Sequence, residues 1–149
     1  MNNISEMLPH DYPMILIDEV TEINFDEKYV ITKVKIKENM PFFDKNTNSV
    51  SAIAGIEFMA QSIGCYSFLK SGEEKPKIGF LLGTRIYNNA IEQFEKDKEY
   101  FIKAAEIYND NNICAFDCQI FDEKKEEIAC ATINAYQPDN IEEMIGKYE

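Results

Sequence analysis

Tryptophan is absent from this 149-residue chain, and histidine and arginine each occur once, as His10 and Arg85. The shortage of basic residues leaves a formal net charge of −12. That charge argues against nucleic acid and anionic membrane surfaces as partners. The single imidazole leaves one histidine that is a candidate general base.

Paired cysteines and long apolar runs are also missing. The four cysteines contain no CxxC pair, so we interpret them as reduced, buried thiols, and no metal or redox cofactor is predicted. The apolar runs are too short and too interrupted to cross a bilayer. The first residues lack the basic and apolar regions of a signal peptide. We therefore expect a cytoplasmic protein that binds no membrane.

The apolar residues that are present, 45% of the chain, suffice for one globular domain over residues 1–149. Apolar runs and alternating patterns predict two strands, then one long helix, then four strands. The strands are predicted at 14–23, 29–36, 78–87, 100–108, 113–121 and 127–136. Residues 41–48 are predicted as a loop, and the acidic tail from Pro138 as a short helix.

The predicted helix, Ala52–Leu69, carries one charged residue, Glu57, and is apolar or small on nearly every other face. Such a helix belongs in a core. Ser49 or Ser51 is a candidate N-cap, and Gly72 and Pro76 are expected to end the helical region. One helix buried on all sides requires a strongly curved sheet around it. The α+β hotdog fold, with about six antiparallel strands wrapped around one helix, meets this requirement and leaves a sheet edge for a two-fold dimer.

Glu57 is the main candidate for chemistry. A buried carboxylate is costly, and burial tends to raise the pKa of a glutamate into a range that suits proton transfer. The alternative is a structural carboxylate bonded to backbone or across a dimer. Gln61 lies four residues later on the same helix face. It either orients the carboxylate or bonds across the dimer axis, and we prefer the second role.

Three stretches carry a family resemblance: Leu8–Val20 with its Leu-Pro-His opening, Asn39–Phe43, and Glu57–Gln61. The chain resembles the hotdog 3-hydroxyacyl-(acyl-carrier-protein) dehydratases over most of its length. Details in Gly55–Glu57, Ile78–Thr84 and Asn134–Pro138 are similar to a divergent branch, the dehydratase-like proteins of aryl-polyene clusters.

The resemblance implies loss of water from a 3-hydroxyacyl thioester to give the trans-2-enoyl thioester. It implies that Glu57 donates a proton to the leaving hydroxyl. It also implies that a peptide N–H in the neighbourhood of Ala52 polarises the thioester carbonyl. The family's histidine is missing from residues 42–48, which leaves His10 as the provisional base. Gln61 joins the predicted substrate site, and an acyl tunnel would be lined by Phe42, Phe43, Met59, Phe80 and Leu81. Those apolar residues, like Tyr66 and Tyr87, are equally interpretable as ordinary core.

The expected partner molecules are an acyl carrier protein or a CoA thioester, and a second copy in a homodimer or an oligomer of dimers. Two alternatives stay open. A hotdog thioesterase would use the helix carboxylate of Glu57 alone. A non-catalytic hotdog subunit would instead pair with an active homologue.

Overall fold

The computed structural model describes residues 4–8, 14–72, 80–110 and 113–136, with the backbone alone at 80–82 and 84–86. His10, Pro76 and the tail from Pro138 therefore lie outside the described residues. The elements in chain order are α1 Ile4–Met7, β1 Glu19–Asn24, β2 Tyr29–Lys35, β3 Phe43–Asp44, β4 Ser49–Ser51, α2 Ala54–Ser71, β5 Phe80–Asn89, β6 Gln93–Glu95, β7 Glu99–Asp110, β8 Ile113–Phe121 and β9 Glu127–Tyr136.

Six of the strands form one antiparallel sheet in the order β1-β2-β7-β8-β9-β5. The long helix α2 contacts β2, β5, β7, β8 and β9 of this sheet. Ten of its residues are buried, and the remaining side of the helix carries half-buried residues such as Ile56, Ala60 and Ser67. The predicted α+β hotdog fold is confirmed: a curved sheet covers a helix that has no wide polar face.

Alternation along the strands explains how the sheet presents one face to α2. In β2, Val30, Thr32 and Val34 point inward and are fully buried, as the period-two pattern predicts. The inward hydroxyl of Thr32 is satisfied by the hydroxyl of Ser62 on α2 at 2.7 Å. Ser62 is in turn hydrogen-bonded to the Phe58 carbonyl at 2.8 Å, so a buried polar contact fixes the helix against the sheet.

The first predicted strand, 14–23, is wrong in its first half. Residues 14–18 are not paired as a strand, although Ile15, Leu16 and Ile17 are buried. The Leu16 N–H donates to the side chain of Gln61, and the Met14 carbonyl accepts from the same side chain. A helix side chain thus replaces the neighbouring strand at Met14 and Leu16, whereas the Asp18 N–H donates to the Lys33 carbonyl of β2 at 2.8 Å.

The predicted loop at 41–48 is also partly wrong. Phe43–Asp44, within that range, forms β3 of a second, three-stranded antiparallel sheet in the order β3-β4-β6, and β4 begins at Ser49, directly after the predicted loop. These strands have two or three residues each, too few to show an alternating pattern. The small sheet leads into α2 and so supports the start of the helix.

The start of α2 lacks the predicted serine cap. The N-cap is Ile53, with helical φ and ψ and no side-chain cap bond. Ser49 is hydrogen-bonded to Thr47, while Ser51 accepts a 3.4 Å bond from the Ile53 N–H before the helix begins. The other end agrees with the prediction: Gly72 is the C-cap in the left-handed region, φ 69°.

No helix in the described part of the chain has the length and apolarity needed to cross a membrane.

Candidate functional site

Glu57 lies in the first turns of α2 on the side that faces residues 14–16. The structure places it half-buried in the single chain, which corrects the prediction of a fully buried carboxylate. One oxygen, Oε1, accepts a hydrogen bond from Gln61 Nε2 at 3.2 Å. Position four residues apart on one helix face makes this contact possible.

Gln61 is 1% exposed and its amide is fully engaged within the chain. Its Oε1 accepts from the Leu16 N–H at 2.9 Å, and its Nε2 donates to the Met14 carbonyl at 2.8 Å and to Glu57. Both donor hydrogens of the amide are therefore used. The alternative of orienting the carboxylate has the observed contact, and the preferred prediction, a bond across a dimer axis, stays a prediction. A role for Gln61 in substrate binding stays a prediction.

The first turn of α2 lies beside Glu57 and carries peptide N–H groups that a helix leaves unpaired. The N–H of Ala52 is not one of them, because it donates to the Glu92 carbonyl at 2.9 Å. The predicted carbonyl-polarising donor in the neighbourhood of Ala52 is therefore not the Ala52 N–H itself, and for the residues that follow it stays a prediction. The N–H groups of Gly55 and Ile56 are also bonded, to Ala52 and Ile53 carbonyls. In the described part of the chain, the N–H of Ala54 meets no acceptor.

The two phenylalanines at the start of the small sheet differ in exposure. Phe42 is 59% exposed and has a left-handed backbone, φ 70°, which is costly for a residue with a Cβ. Phe43 is half-buried and packs on the main core. Phe80 and Leu81 begin β5, where their backbones pair with Tyr136 and Ala135. Tunnel lining by these four residues stays a prediction.

The remaining predictions concern the general base and metal ligands. His10, the provisional base, lies outside the described residues. Among the described residues, no group of three or more His, Cys, Asp or Glu side chains is arranged to hold a metal ion. Burial raises the pKa of the Cys65 thiol to about 12 and that of Cys114 to about 11, with a smaller contribution from Glu106 at Cys114. Buried, protonated thiols are poor metal ligands and poor nucleophiles.

Two contacts at the start of α2 were not predicted from the sequence. The Glu92 carbonyl binds the Ala52 N–H, and the Tyr87 hydroxyl donates to the Ala52 carbonyl. Burial raises the pKa of Tyr87 to about 12, so its hydroxyl is a donor across the physiological range. The sequence placed Tyr87 in a strand. No local sequence pattern indicates that its side chain contacts the start of a helix 35 residues earlier.

A curved antiparallel sheet around a helix that carries a carboxylate near its N-terminus defines a hotdog protein. The chain belongs to the ApeP-like family: the model of that family, described as ApeP dehydratase, matches residues 2–146.

Curated relatives resemble part of the chain. The 3-hydroxyacyl-(acyl-carrier-protein) dehydratase FabZ of Oceanobacillus iheyensis is 36% identical over 86 residues, which are 56% of this chain and 60% of that protein. FabZ of Streptococcus thermophilus is 38% identical over 86 residues, 56% of this chain and 59% of that protein. The chain thus spans less than two thirds of the length of these relatives.

Solved structures share the fold. The dehydratase heterocomplex ApeI:P of Xenorhabdus doucetiae matches with a TM-score of 0.87 at 22% identity, covering 100% of this chain and 99% of that one. A hypothetical thioesterase of Streptococcus pneumoniae, crystallised with coenzyme A, matches with a TM-score of 0.60 at 14% identity, covering 80% and 84%. The comparison with ApeI:P extends the hotdog likeness over the whole chain.

Proposed function

We propose that this protein removes water from a 3-hydroxyacyl thioester, held on an acyl carrier protein or on CoA, to give the trans-2-enoyl thioester. The observation that carries the proposal is the Glu57 carboxylate, held by Gln61 beside the first turn of α2. Membership of the ApeP-like dehydratase family supports it.

Glu57 acts on the leaving hydroxyl. In its acid form it donates a proton to the C3 oxygen, the C3–O bond breaks, and water leaves. The electron pair of the C2–H bond forms the C2–C3 double bond, while the base retains the C2 proton. Gln61 keeps the carboxyl in one orientation, because its Nε2 also holds the Met14 carbonyl and is not free to follow Glu57 into solvent.

The thioester carbonyl gains negative charge as the C2 proton departs. The first turn of α2 offers a fixed, positive helix end to that charge. We assign the donor to the N–H of Ala54, because neighbouring N–H groups at Ala52 and Gly55 already have carbonyl acceptors. A donor that is placed in advance stabilises the charge without reorganisation.

His10 remains the proposed base. It precedes Met14 by four residues in the sequence, and the Met14 carbonyl is bonded to Gln61 next to Glu57. In the dehydratases that this chain resembles, base and acid come from different subunits, so we propose that the site is completed in a dimer.

The test incubates purified protein with a 3-hydroxyacyl thioester on a carrier protein, and separately on CoA, and follows mass loss of water and enoyl absorbance. We expect Glu57→Gln and His10→Ala each to lower turnover on the order of 10²-fold or more, since each removes one proton-transfer group. Glu106→Gln is the matched control, because this β7 carboxylate is bonded to Lys70, away from Glu57. Turnover by Glu57→Gln at the wild-type rate would exclude the proposal.

A second candidate is a thioesterase, favoured by the fact that Gln61 orients Glu57 while residues 42–48 lack the histidine of the dehydratases that this chain resembles. Release of free thiol that depends on Glu57, without loss of water, would identify it. A third is a non-catalytic subunit, which the fold match to a dehydratase heterocomplex suggests. Turnover that appears only after a homologous hotdog subunit is added would identify that role.

A further inference from the structure

The start of α2 is held by an unusual set of contacts in place of a side-chain cap. The peptide groups of Ala52 are bonded on both sides: its N–H donates to the Glu92 carbonyl, and its carbonyl accepts from the Gly55 N–H at 3.0 Å. The same carbonyl accepts from the hydroxyl of Tyr87. One side chain from β5 thus ties the residue before the helix to the main sheet, although as a donor it satisfies none of the free N–H groups that a capping residue would accept from.

Tyr87 reaches the helix because Gly55 has no side chain. A Cβ added at Gly55 would overlap the Tyr87 hydroxyl oxygen, and it would lie 3.2 Å from Tyr87 Cζ and 3.0 Å from Ile120 Cδ1. Gly55 is therefore a site of close approach between a strand side chain and the helix backbone. The φ of Gly55 is not in the left-handed region, so space and not backbone freedom explains the glycine.

Tyr87 acts on a different face of the helix from the carboxylate. Gly55 and Glu57 are two residues apart, which places them about 200° apart around the helix axis. Glu57 faces Gln61 and residues 14–16, whereas Gly55 faces Tyr87 and Ile120. Tyr87 therefore does not touch the reacting groups and acts through the backbone.

We propose that Tyr87 is a positioning residue: its hydroxyl fixes the first turn of α2, and so fixes the Ala54 N–H relative to the carboxylate of Glu57. The proposal rests on the function proposed above. Without the hydroxyl, the Ala52 carbonyl keeps only the Gly55 bond. The turn then loses its hydrogen bond to β5 and samples orientations that no longer aim its N–H groups at one point.

The first arm of the test measures stability and needs no activity. Gly55→Ala is made in the wild type and in Tyr87→Phe. In the wild type the new methyl group overlaps the hydroxyl, so we expect a loss of at least several degrees in Tm. In Tyr87→Phe the nearest ring atom lies at 3.2 Å and the loss is expected to be clearly smaller.

Tyr29→Phe provides the matched control. The Tyr29 hydroxyl donates to Glu22 at the protein surface, far along the sheet order from β5. Gly55→Ala is expected to cost the same in Tyr29→Phe as in the wild type. If Gly55→Ala lowered Tm equally in the wild type, in Tyr87→Phe and in Tyr29→Phe, the close contact between Tyr87 and Gly55 would be excluded.

The second arm measures positioning. Tyr87→Phe is expected to lower kcat on the order of tenfold to a hundredfold, with KM within about twofold, because misplaced donors weaken mainly transition-state stabilisation. Tyr29→Phe keeps the wild-type kcat. Wild-type kcat in Tyr87→Phe would reduce the hydroxyl to a structural role and overturn the proposal.

A spectroscopic arm separates this inference from the proposed reaction. The infrared carbonyl band of a bound trans-2-enoyl thioester is expected to shift to lower frequency in the wild type and in Tyr29→Phe, and to shift less in Tyr87→Phe. A Tyr87-dependent shift without turnover would leave the positioning role standing while the dehydratase proposal fails. Absence of the shift in the wild type would overturn the positioning role.

Discussion

Glu57 and Gln61 show how far single residues were predictable. The sequence isolated Glu57 because a lone charge inside an apolar helix has few explanations. It also placed Gln61 on the same face. It did not reveal that Gln61 is consumed by Met14 and Leu16, because those partners lie more than 40 residues away and are backbone groups, which leave no trace in residue types.

Gln61→Glu tests this pair at the residue level. The change removes both amide donors and places a second carboxylate next to Glu57. At pH 7 we expect the free energy of unfolding to fall by about 1–3 kcal/mol, since the Met14 carbonyl loses its donor and two like charges meet. The like charge raises the pKa of the introduced carboxyl in the folded state. The deficit is therefore present at high pH and shrinks as pH falls through that pKa.

Denaturant unfolding at pH 7 and pH 5 measures the effect. Gln119→Glu is the control: Gln119 Nε2 also donates to a carboxylate, Glu127, at 2.7 Å, but on the exposed surface. We expect it to cost less than about 0.5 kcal/mol at either pH. Equal losses in the two variants would mean that burial of the Gln61 network contributes nothing.

At the scale of elements, prediction succeeded where a repeating pattern was long enough. The limits of β8 and β9 are those predicted, and β2 and β7 differ by one or two residues at their ends. The small sheet of β3, β4 and β6 was missed, because two or three residues cannot show a period. Residues 14–18 were misread because burial alone imitates a strand.

The inward faces of α2 and β8 explain the cysteines. Cys65 on α2 and Cys114 and Cys118 on β8 are buried, and Cys130 on β9 is half-buried. Burial raises the pKa of Cys65 to about 12 and, with Asp117 contributing, raises that of Cys118 further. At pH 8, we expect iodoacetamide to label Cys130 in the folded protein and all four thiols in denaturant, as counted by mass spectrometry.

The raised pKa of Cys65 predicts that the protein loses stability in alkali. The pKa of the Cys65 thiol is ordinarily 9.0, and burial in the folded protein raises it to about 12. Its contribution to stability is complete below about pH 9 and is lost as pH rises towards 12. Cys65→Ala is therefore expected to flatten the fall of stability over this window. Labelling of Cys65 at the rate of Cys130 would contradict its burial.

For the whole molecule, the architecture was predictable because the sequence contains a long helix without a polar face and too few other helices to bury it. A sheet therefore has to cover that helix. What the sequence did not reveal is the difference between the two edges of the main sheet. The β1 edge carries the exposed carboxylates of Glu19 and Glu22, and charged side chains along an edge oppose pairing. The register is irregular at both edges, so it does not distinguish them. The β5 edge is the one through which we propose that a second copy pairs.

Charge gives that proposed dimer a testable salt dependence. Each copy carries −12, so two copies repel each other. The screening length shrinks from about 30 Å at 0.01 M salt to about 10 Å at 0.1 M. We expect sedimentation velocity to show dissociation at low salt and a dimer of about twice 17.2 kDa at 0.1 M and above. A dimer that weakens as salt is added would instead indicate pairing through opposite charges.

The strand order also decides how the chain reaches its native state. β2 pairs with β7, so that Tyr29 meets Ala105 about half the chain length later. The intervening segment contains α2, whose apolar surface is complete long before β7, β8 and β9 exist to cover it. Closing so long a loop is slow. During synthesis the apolar surface of the helix that carries Glu57 therefore stays exposed until these strands are made. In that interval the protein is most prone to aggregate and benefits most from a chaperone.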